Sequence, residues 1–285
     1  MTIVFDGLAA GMLLFLISVG LSVTLGLMNF VNLAHGAFAM LGGYACAVLL
    51  GRADVPFLLA VPIAAACTAV AGLLLERTLY RRLYAASPLD QTLFSLGLVF
   101  MSISTAHYFF GAQQQPVVLP EFLRGQINLP GLDIGIYRLF LIAVGLLLAF
   151  GLQWLITHTR FGAQLRAAVD NPRTARGLGI HVDRVFTLTF ALGSALAGLG
   201  GALGIEMLGL DPTFPVKYIV YFLIVVAVGG SGSIKGSLAA SLMLGLFDVA
   251  GKYYFPQIGA FVIYAVMVVM LIVRPQGLFG RSAHR

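Results

Sequence analysis

The stretch GLMNFVNLAHGAFAMLGGY, residues 26–44, follows an uncharged run of twenty residues, LAAGMLLFLISVGLSVTLGL, Leu8 to Leu27. It then sets Asn29, Asn32 and His35 three apart in otherwise apolar sequence. A polar group held away from water costs several kcal/mol, of the order of 2–7, unless something bonds it. Such a run and such an interruption are what a membrane-spanning helix and a break in one look like. The rest of the chain agrees. Of its 285 residues 60% are hydrophobic and only 10% charged, against about 25% charged in a soluble domain. Mean hydropathy is +0.98, and apolar runs near the length of about 20 residues that a bilayer demands recur throughout. The expected fold is an all-α, polytopic membrane helix bundle, with residues 1–285 as one transmembrane domain.

Apolar segments fall at about 8–27, 36–50, 56–75, 91–110, 138–157, 185–208, 217–229, 237–251 and 258–273, which makes eight or nine hydrophobic segments. Those at 36–50, 217–229 and 237–251 are short and glycine-interrupted, as broken or re-entrant helices are. The first run has neither a basic leader nor a small-residue cleavage site, so it reads as the first span. Basic residues concentrate in three places: Arg77, Arg81 and Arg82; Arg160 to Arg184; and the tail with Arg274, Arg281 and Arg285. The pI near 9.5 therefore reflects loops that fix orientation rather than nucleic-acid binding. Placing all three on the cytoplasmic side puts the N-terminus outside and the C-terminus inside.

Several chemistries are excluded by spacing. GGSGSIKGS (Gly229–Ser237) has Ile234 where a phosphate-binding loop needs glycine before lysine, and AGKY at 250–253 lacks both the first glycine and the Ser/Thr. The chain cannot hydrolyse ATP by itself. His35, His107, His158, His181 and His284 are scattered, and Cys46 and Cys67 lack metal-ligand spacing and read as small packing residues. No metal, cofactor, disulfide or catalytic group is expected. Asp248 is the one carboxylate well inside a span, with no partner at sequence spacing. Like Glu206 it reads as an internal polar contact. Gly193, Ala197 and Gly201, with Gly200 and Gly204 beside them, form a small-residue face for close helix packing.

The segment THTRFGAQLRAAVDNPRTARGLGIHVDRV carries more. Asn171 before Pro172 is an N-cap followed by proline at the first helical position, and Gly177 suits the left-handed position that ends a helix. PRTAR is then a short capped helix with Arg173 and Arg176 projecting. It follows a helical piece, AQLRAAV, with Leu165 and Val169 on one side and Arg166 able to reach water. A rigid element on the cytoplasmic face, within a loop at about 158–184, suits docking of another protein.

Taken together, NFVNLAHGAFAMLGGY (29–44), TRFGAQLRAAVDNPRTARGLGI (159–180), GGSGSIKGSLAAS (229–241) and RPQGLFG (274–280) resemble the permease subunits of ABC importers for branched-chain amino acids, the shorter of the two paired permeases. The resemblance implies a second permease, identical or homologous, two cytoplasmic ATP-binding subunits, an extracytoplasmic solute-binding protein and a bacterial inner-membrane setting. It places ATPase coupling on Arg166, Ala167, Asn171, Ala175 and Gly177 to Ile180, to which the capped-helix reading adds Pro172, Arg173 and Arg176. Related permeases serve urea, amides and aromatic acids. Many carry Glu after the His-Gly pair where this chain has Ala37; if that carboxylate meets the solute or the pathway in relatives, the resemblance implies an altered contact here and a weaker case for a branched-chain solute. An ion-coupled transporter or channel is the rival class; it would want more buried ionisable groups than Asp248 and His35. The opening trio has two readings. On a helix over 28–36, with about 100° per residue, Asn29, Asn32 and His35 beside Gly36 cover about 120° of one face and line a pathway. Alternatively they cap interrupted helix ends.

Overall fold

The computed structural model describes residues 2–279 except 29, 31, 85, 116, 118, 130 and 131. Asn29, Arg281, His284 and Arg285 thus lie outside the described residues. Nine apolar helices match the nine hydrophobic segments: α1 (Thr2–Met28), α2 (His35–Arg52), α3 (Phe57–Thr78), α4 (Pro88–Phe110), α5 (Ile136–His158), α8 (Val182–Leu208), α9 (Phe214–Gly229), α10 (Ile234–Tyr254) and α11 (Gly259–Val273). Two short helices, α6 (Arg160–Asp170) and α7 (Pro172–Gly177), join α5 to α8. An antiparallel hairpin of β1 (Gln126–Leu129) and β2 (Leu132–Gly135), with Gln126 opposite Gly135, lies in the long 111–135 connection. Six helices, α1, α3, α4, α5, α8 and α10, are long and apolar enough to cross a membrane, while α9 and α11 are shorter.

The segment at 237–251 is therefore not short. It extends to 21 residues, about 31 Å at 1.5 Å per residue. Its polar residues are absorbed by packing instead of breaking the helix: Ser237 and Ser22 hydroxyls share a hydrogen bond of 2.5 Å, fully buried. Ser233 caps the start, its hydroxyl accepting from the Gly236 N–H at 3.0 Å. The 217–251 stretch is two helices joined by a turn through Gly230 (φ 89°) and Gly232 (φ 79°).

Helices α1 and α8 form the centre, and over residues 7–28 and 185–205 they carry no charged side chain, the pattern of helices largely surrounded by protein. Their neighbours approach backbone to backbone. A Cβ on Gly42 of α2 would overlap the Gly198 backbone of α8, and one on Gly200 would lie 2.8 Å from Ile17 Cα of α1. The stripe at Gly193, Ala197 and Gly201 serves two neighbours rather than one flat face: Gly193 abuts Thr24 and Gly20 of α1, and Gly201 abuts Ala39 of α2. By contrast α3, α4 and α5 turn Val70, Leu74, Phe100, Met101, Leu147 and Phe150 outward, a surface suited to lipid. Cys67 also faces outward from α3, so only the buried Cys46 is a packing residue.

The two ends of the bundle differ. At one, Asp183 at the start of α8 pairs with both Arg81, from the α3–α4 connection, and Arg176 of α7. The turn before α10 and the chain after α11 meet at this basic end, where the Leu278 N–H donates to the Val228 carbonyl at 2.7 Å. At the other end, Arg138 of α5 pairs with Asp6 of α1.

Candidate functional site

At the basic end α6 and α7 form one unit. The Thr159 hydroxyl accepts from the Gly162 N–H at 3.2 Å and starts α6. Asn171 does two jobs: its N–H closes α6 on the Ala167 carbonyl at 3.1 Å, and its side-chain oxygen accepts from the Thr174 N–H at 3.0 Å to open α7. Pro172 sits in the first turn, where its missing N–H costs nothing. The helix does not stop where the sequence suggested. Gly177 is the last helical residue, and the left-handed position belongs to Gly179 (φ 81°). The Gly179 N–H returns to the Arg176 carbonyl at 3.0 Å and the Ile180 N–H to the Ala175 carbonyl at 3.0 Å. These two bonds are a Schellman closure, which requires the positive φ one residue beyond the cap, here Leu178.

The unit stands on a small apolar cluster of Leu165, Ala168, Ala175, Val182 and Val185, so α7 is fastened to the first turn of α8. Outward it presents Arg173, Thr174 and Leu178, the last 75% exposed. Arg176 is held by Asp183. Arg166 is half-buried on the rim of an open cavity, and its guanidinium also donates back to the Ile156 carbonyl near the end of α5. An unbonded carbonyl at a helix end is a strong acceptor. Ala167 and Ile180 are half-buried.

Asn32 and His35 do not share a helical face, because α1 ends at Met28 and α2 begins at His35. Both are 2% exposed. The Asn32 side-chain oxygen accepts from the Ala34 N–H (3.1 Å) and from the Tyr80 hydroxyl (2.9 Å). His35 Nε2 lies 2.9 Å from the Ile17 carbonyl and, facing an oxygen that only accepts, carries the proton. Gly36 lets α2 meet α9: a Cβ there would fall 2.9 Å from Pro215 Cα. Asn32 thus bonds a backbone N–H within the junction, His35 reaches across to the middle of α1, and α2 itself starts without a side-chain cap.

One group escaped the sequence reading. Glu76, within the basic ERTLYRR connection, is 0% exposed. Its two oxygens accept from the Tyr84 hydroxyl and the Thr187 hydroxyl, each at 2.7 Å. Burial, then the hydrogen bond to and charge of Glu76, push the Tyr84 phenol above its ordinary pKa, so it stays a donor. The only sequence signal was a carboxylate directly after Leu73–Leu75; its partner Thr187 lies 111 residues away.

Asp248 does have a partner at sequence spacing: Lys252, one turn on, bonds its Oδ2 at 2.6 Å. The sequence reading ended that span one residue before the lysine. Glu206 is exposed and borders a polar cavity of about 690 Å³ with Arg124 and Arg138 at the same end of the bundle. Among the described residues no three His, Cys, Asp or Glu side chains cluster to hold a metal.

A bundle of spanning helices with a rigid short-helix unit fastened to one end is the build of a multi-pass transport subunit. The chain belongs to the family described as branched-chain amino acid transport system / permease component, whose model matches residues 3–271. It is 27% identical to the high-affinity branched-chain amino acid transport system permease protein BraD of Pseudomonas aeruginosa, over 97% of this chain and 94% of the relative. It is 28% identical to LivH of Escherichia coli K12, of the same description, with the same coverage of each. A shorter match, 31% identical over 40% of this chain and 35% of the relative, joins it to the autoinducer 2 import system permease protein LsrC of Klebsiella pneumoniae. No solved structure matches. The chain is a transmembrane permease of an ABC importer.

Proposed function

We propose that the permease carries branched-chain or other apolar amino acids inward by alternating access, performing no catalysis of its own. Two ATP-binding subunits, a second permease and an extracytoplasmic binding protein complete the importer in the bacterial inner membrane. The basic end faces the cytoplasm, by the positive-inside preference, which puts the N-terminus outside. The unit α6–α7 is the coupling element: Arg173 and Leu178 are its contacts with an ATP-binding subunit. Asn171, Pro172, Ala175, Gly177, Gly179 and Ile180 hold its shape, while Arg166 and Arg176 tie it to α5 and α8. Asn32, His35 and Gly36 brace the break between α1 and α2.

The observation that carries this reading is the fastening of α7 to α8 by a shared apolar cluster, with an apolar side chain left bare at its tip. Beside it the exposed Arg173 is of the residue type that anchors protein interfaces. The test is co-purification of the ATP-binding subunits with the permease, and ATP-driven leucine uptake into proteoliposomes holding all subunits. Leu178→Asp with Arg173→Glu is expected to strip the ATP-binding subunits from a permease that still elutes as a folded species. Undiminished co-purification would show that α7 is not the contact. Concentrative uptake by the permease alone on an ion gradient would favour the ion-coupled class instead.

A further inference from the structure

At the basic end of the bundle an open cavity of about 310 Å³ lies between the last turns of α5, the helix α6 and the turn that enters α10. The turn is held by backbone on two sides. A Cβ on Gly26 of α1 would overlap the Gly232 nitrogen, and the Phe279 N–H donates to the Gly229 carbonyl at 3.2 Å. Its polar lining is rich in donors. Lys235 of α10 is exposed and has neither ion pair nor hydrogen bond among the described residues. Arg166 of α6 spends one guanidinium nitrogen on the Ile156 carbonyl, and a guanidinium has five N–H donors to give. The Ser233 oxygen accepts from the Gly236 N–H, which leaves its own hydroxyl proton to donate. The Ser231 hydroxyl and the Gln153 carboxamide complete the polar lining with Asp170, the one acid there, which already has a partner of its own.

Two cations from separate elements, with hydroxyl donors on the same wall, suit a phosphate, whose oxygens accept charge-assisted bonds from both. A basic pocket between membrane helices at the cytoplasmic side is also the setting in which anionic head groups bind. The outer face of α5 points to the same source of phosphate. Leu147, Phe150 and Trp154 form an exposed stripe on this helix, and Leu147 lies about 9 Å along its axis from Gln153. Trp154, next to Gln153, is the chain's single tryptophan, a residue that favours the head-group level of a bilayer. We propose that the cavity binds the phosphate of an anionic phospholipid in the cytoplasmic leaflet, Lys235 and Arg166 meeting its oxygens and the acyl chains lying along α5. The choice of leaflet rests on the cytoplasmic placing of the basic end above; the binding does not. The head group then links α6, part of the coupling unit, to the start of α10.

The experiment uses Trp154 as the reporter. Phosphatidylglycerol with brominated acyl chains is titrated into the full-length permease in micelles of detergent and phosphatidylcholine, and quenching is compared with that by brominated phosphatidylcholine. Wild type is expected to be half-quenched at an about fivefold lower fraction of phosphatidylglycerol, the worth of roughly one lysine at an anionic surface. Lys235→Gln should lose most of that preference and Lys235→Arg should keep it. Arg52→Gln, which removes the same charge from an exposed site at the other end of the bundle, should keep it too. Equal quenching by the two lipids, or a preference unchanged in Lys235→Gln, overturns the site whichever face the basic end occupies. If Lys235→Gln does not elute like wild type, Arg166→Gln decides by the same criterion. Millimolar inorganic phosphate and glycerophosphoglycerol, the head group without chains, are expected to leave the quenching intact. Displacement by either would assign the cavity to a soluble phosphate and overturn the lipid. Native mass spectrometry of the assembled importer should find phosphatidylglycerol retained in wild type and lost in Lys235→Gln. Its loss from wild type on assembly would give the cavity to an ATP-binding subunit instead.

Discussion

The hydrogen bonds of Asn32 make a quantitative prediction about the sequence feature that first marks the fold. Its side-chain oxygen serves two donors, the Tyr80 hydroxyl and the Ala34 N–H, both 0–1% exposed. Tyr80→Phe removes one donor and leaves Asn32 bonded to Ala34, so the loss is that of one net hydrogen bond, about 0.5–1.5 kcal/mol and nearer 0.6 by precedent in helical membrane proteins. Asn32→Leu strands both donors away from water, at about 1–3 kcal/mol each, or roughly 2–6 in all. In the double variant the stranded hydroxyl is gone, so Asn32→Leu/Tyr80→Phe should be as stable as Asn32→Leu or better. That is a coupling of at least the Tyr80→Phe cost, about 0.5–1.5 kcal/mol, and more if the penalty of the stranded hydroxyl is regained as well. Helicity followed by circular dichroism through a titration of mixed micelles from mild detergent to dodecyl sulfate measures all four proteins. Strict additivity would show that the two side chains do not act together. Wild-type stability of Asn32→Leu combined with lost uptake would move Asn32 from bracing to the solute path.

Three further outcomes follow from packing and burial. Gly42→Val, whose side chain would enter the Gly198 backbone, should abolish a monodisperse peak in size exclusion, since over-packing of a core costs about 1–3 kcal/mol or more even where neighbours can yield. Gly51→Ala, with nothing within 4 Å of the added carbon, should be neutral or slightly stabilising by the same test, alanine being the better helix former by up to about 1 kcal/mol. Thr187→Val takes one of two hydroxyl donors from buried Glu76 and should cost about 1.5–3 kcal/mol, the range for a bond to a charged group. Thr187→Ser should restore most of it in the micelle titration, and equal stability of Val and Thr would rule out a role for that bond.

Much of this architecture could be read from residues alone, because the bilayer imposes a length on apolar runs. All nine apolar helices lie where predominantly hydrophobic sequence lies, the three glycine-interrupted segments included. The Asn-Pro start of α7 was visible for the same local reason, since an N-cap needs only its own next turn. What failed depended on distance or on geometry. Whether Gly177 or Gly179 ends α7 turns on which of two glycines two residues apart takes a positive φ, and composition does not decide that. The polar interior of α10 looked like a break because Ser22, which bonds Ser237, is 215 residues away. Glu76 drew no notice beside Arg77, Arg81 and Arg82 because neither Tyr84 nor Thr187 announces itself as its donor. The pair Asp248 and Lys252 was present in the sequence and lost only through a span drawn too short.

The glycine contacts that unite α1, α2 and α8 bear on how such a molecule can move. Where main chain rests on main chain, no rotamer can relax to absorb a displacement, and these helices, with α10 joined to α1 through Gly11 and Gly245, would respond as a single stiff body. A shove delivered to α7 passes through its shared apolar footing into α8 and so reaches that whole body at once. Compliance must then reside where side chains intervene, along α4 and α5 and around the tyrosine-lined gap between α9 and α11, and it is there that opening and closing would be felt.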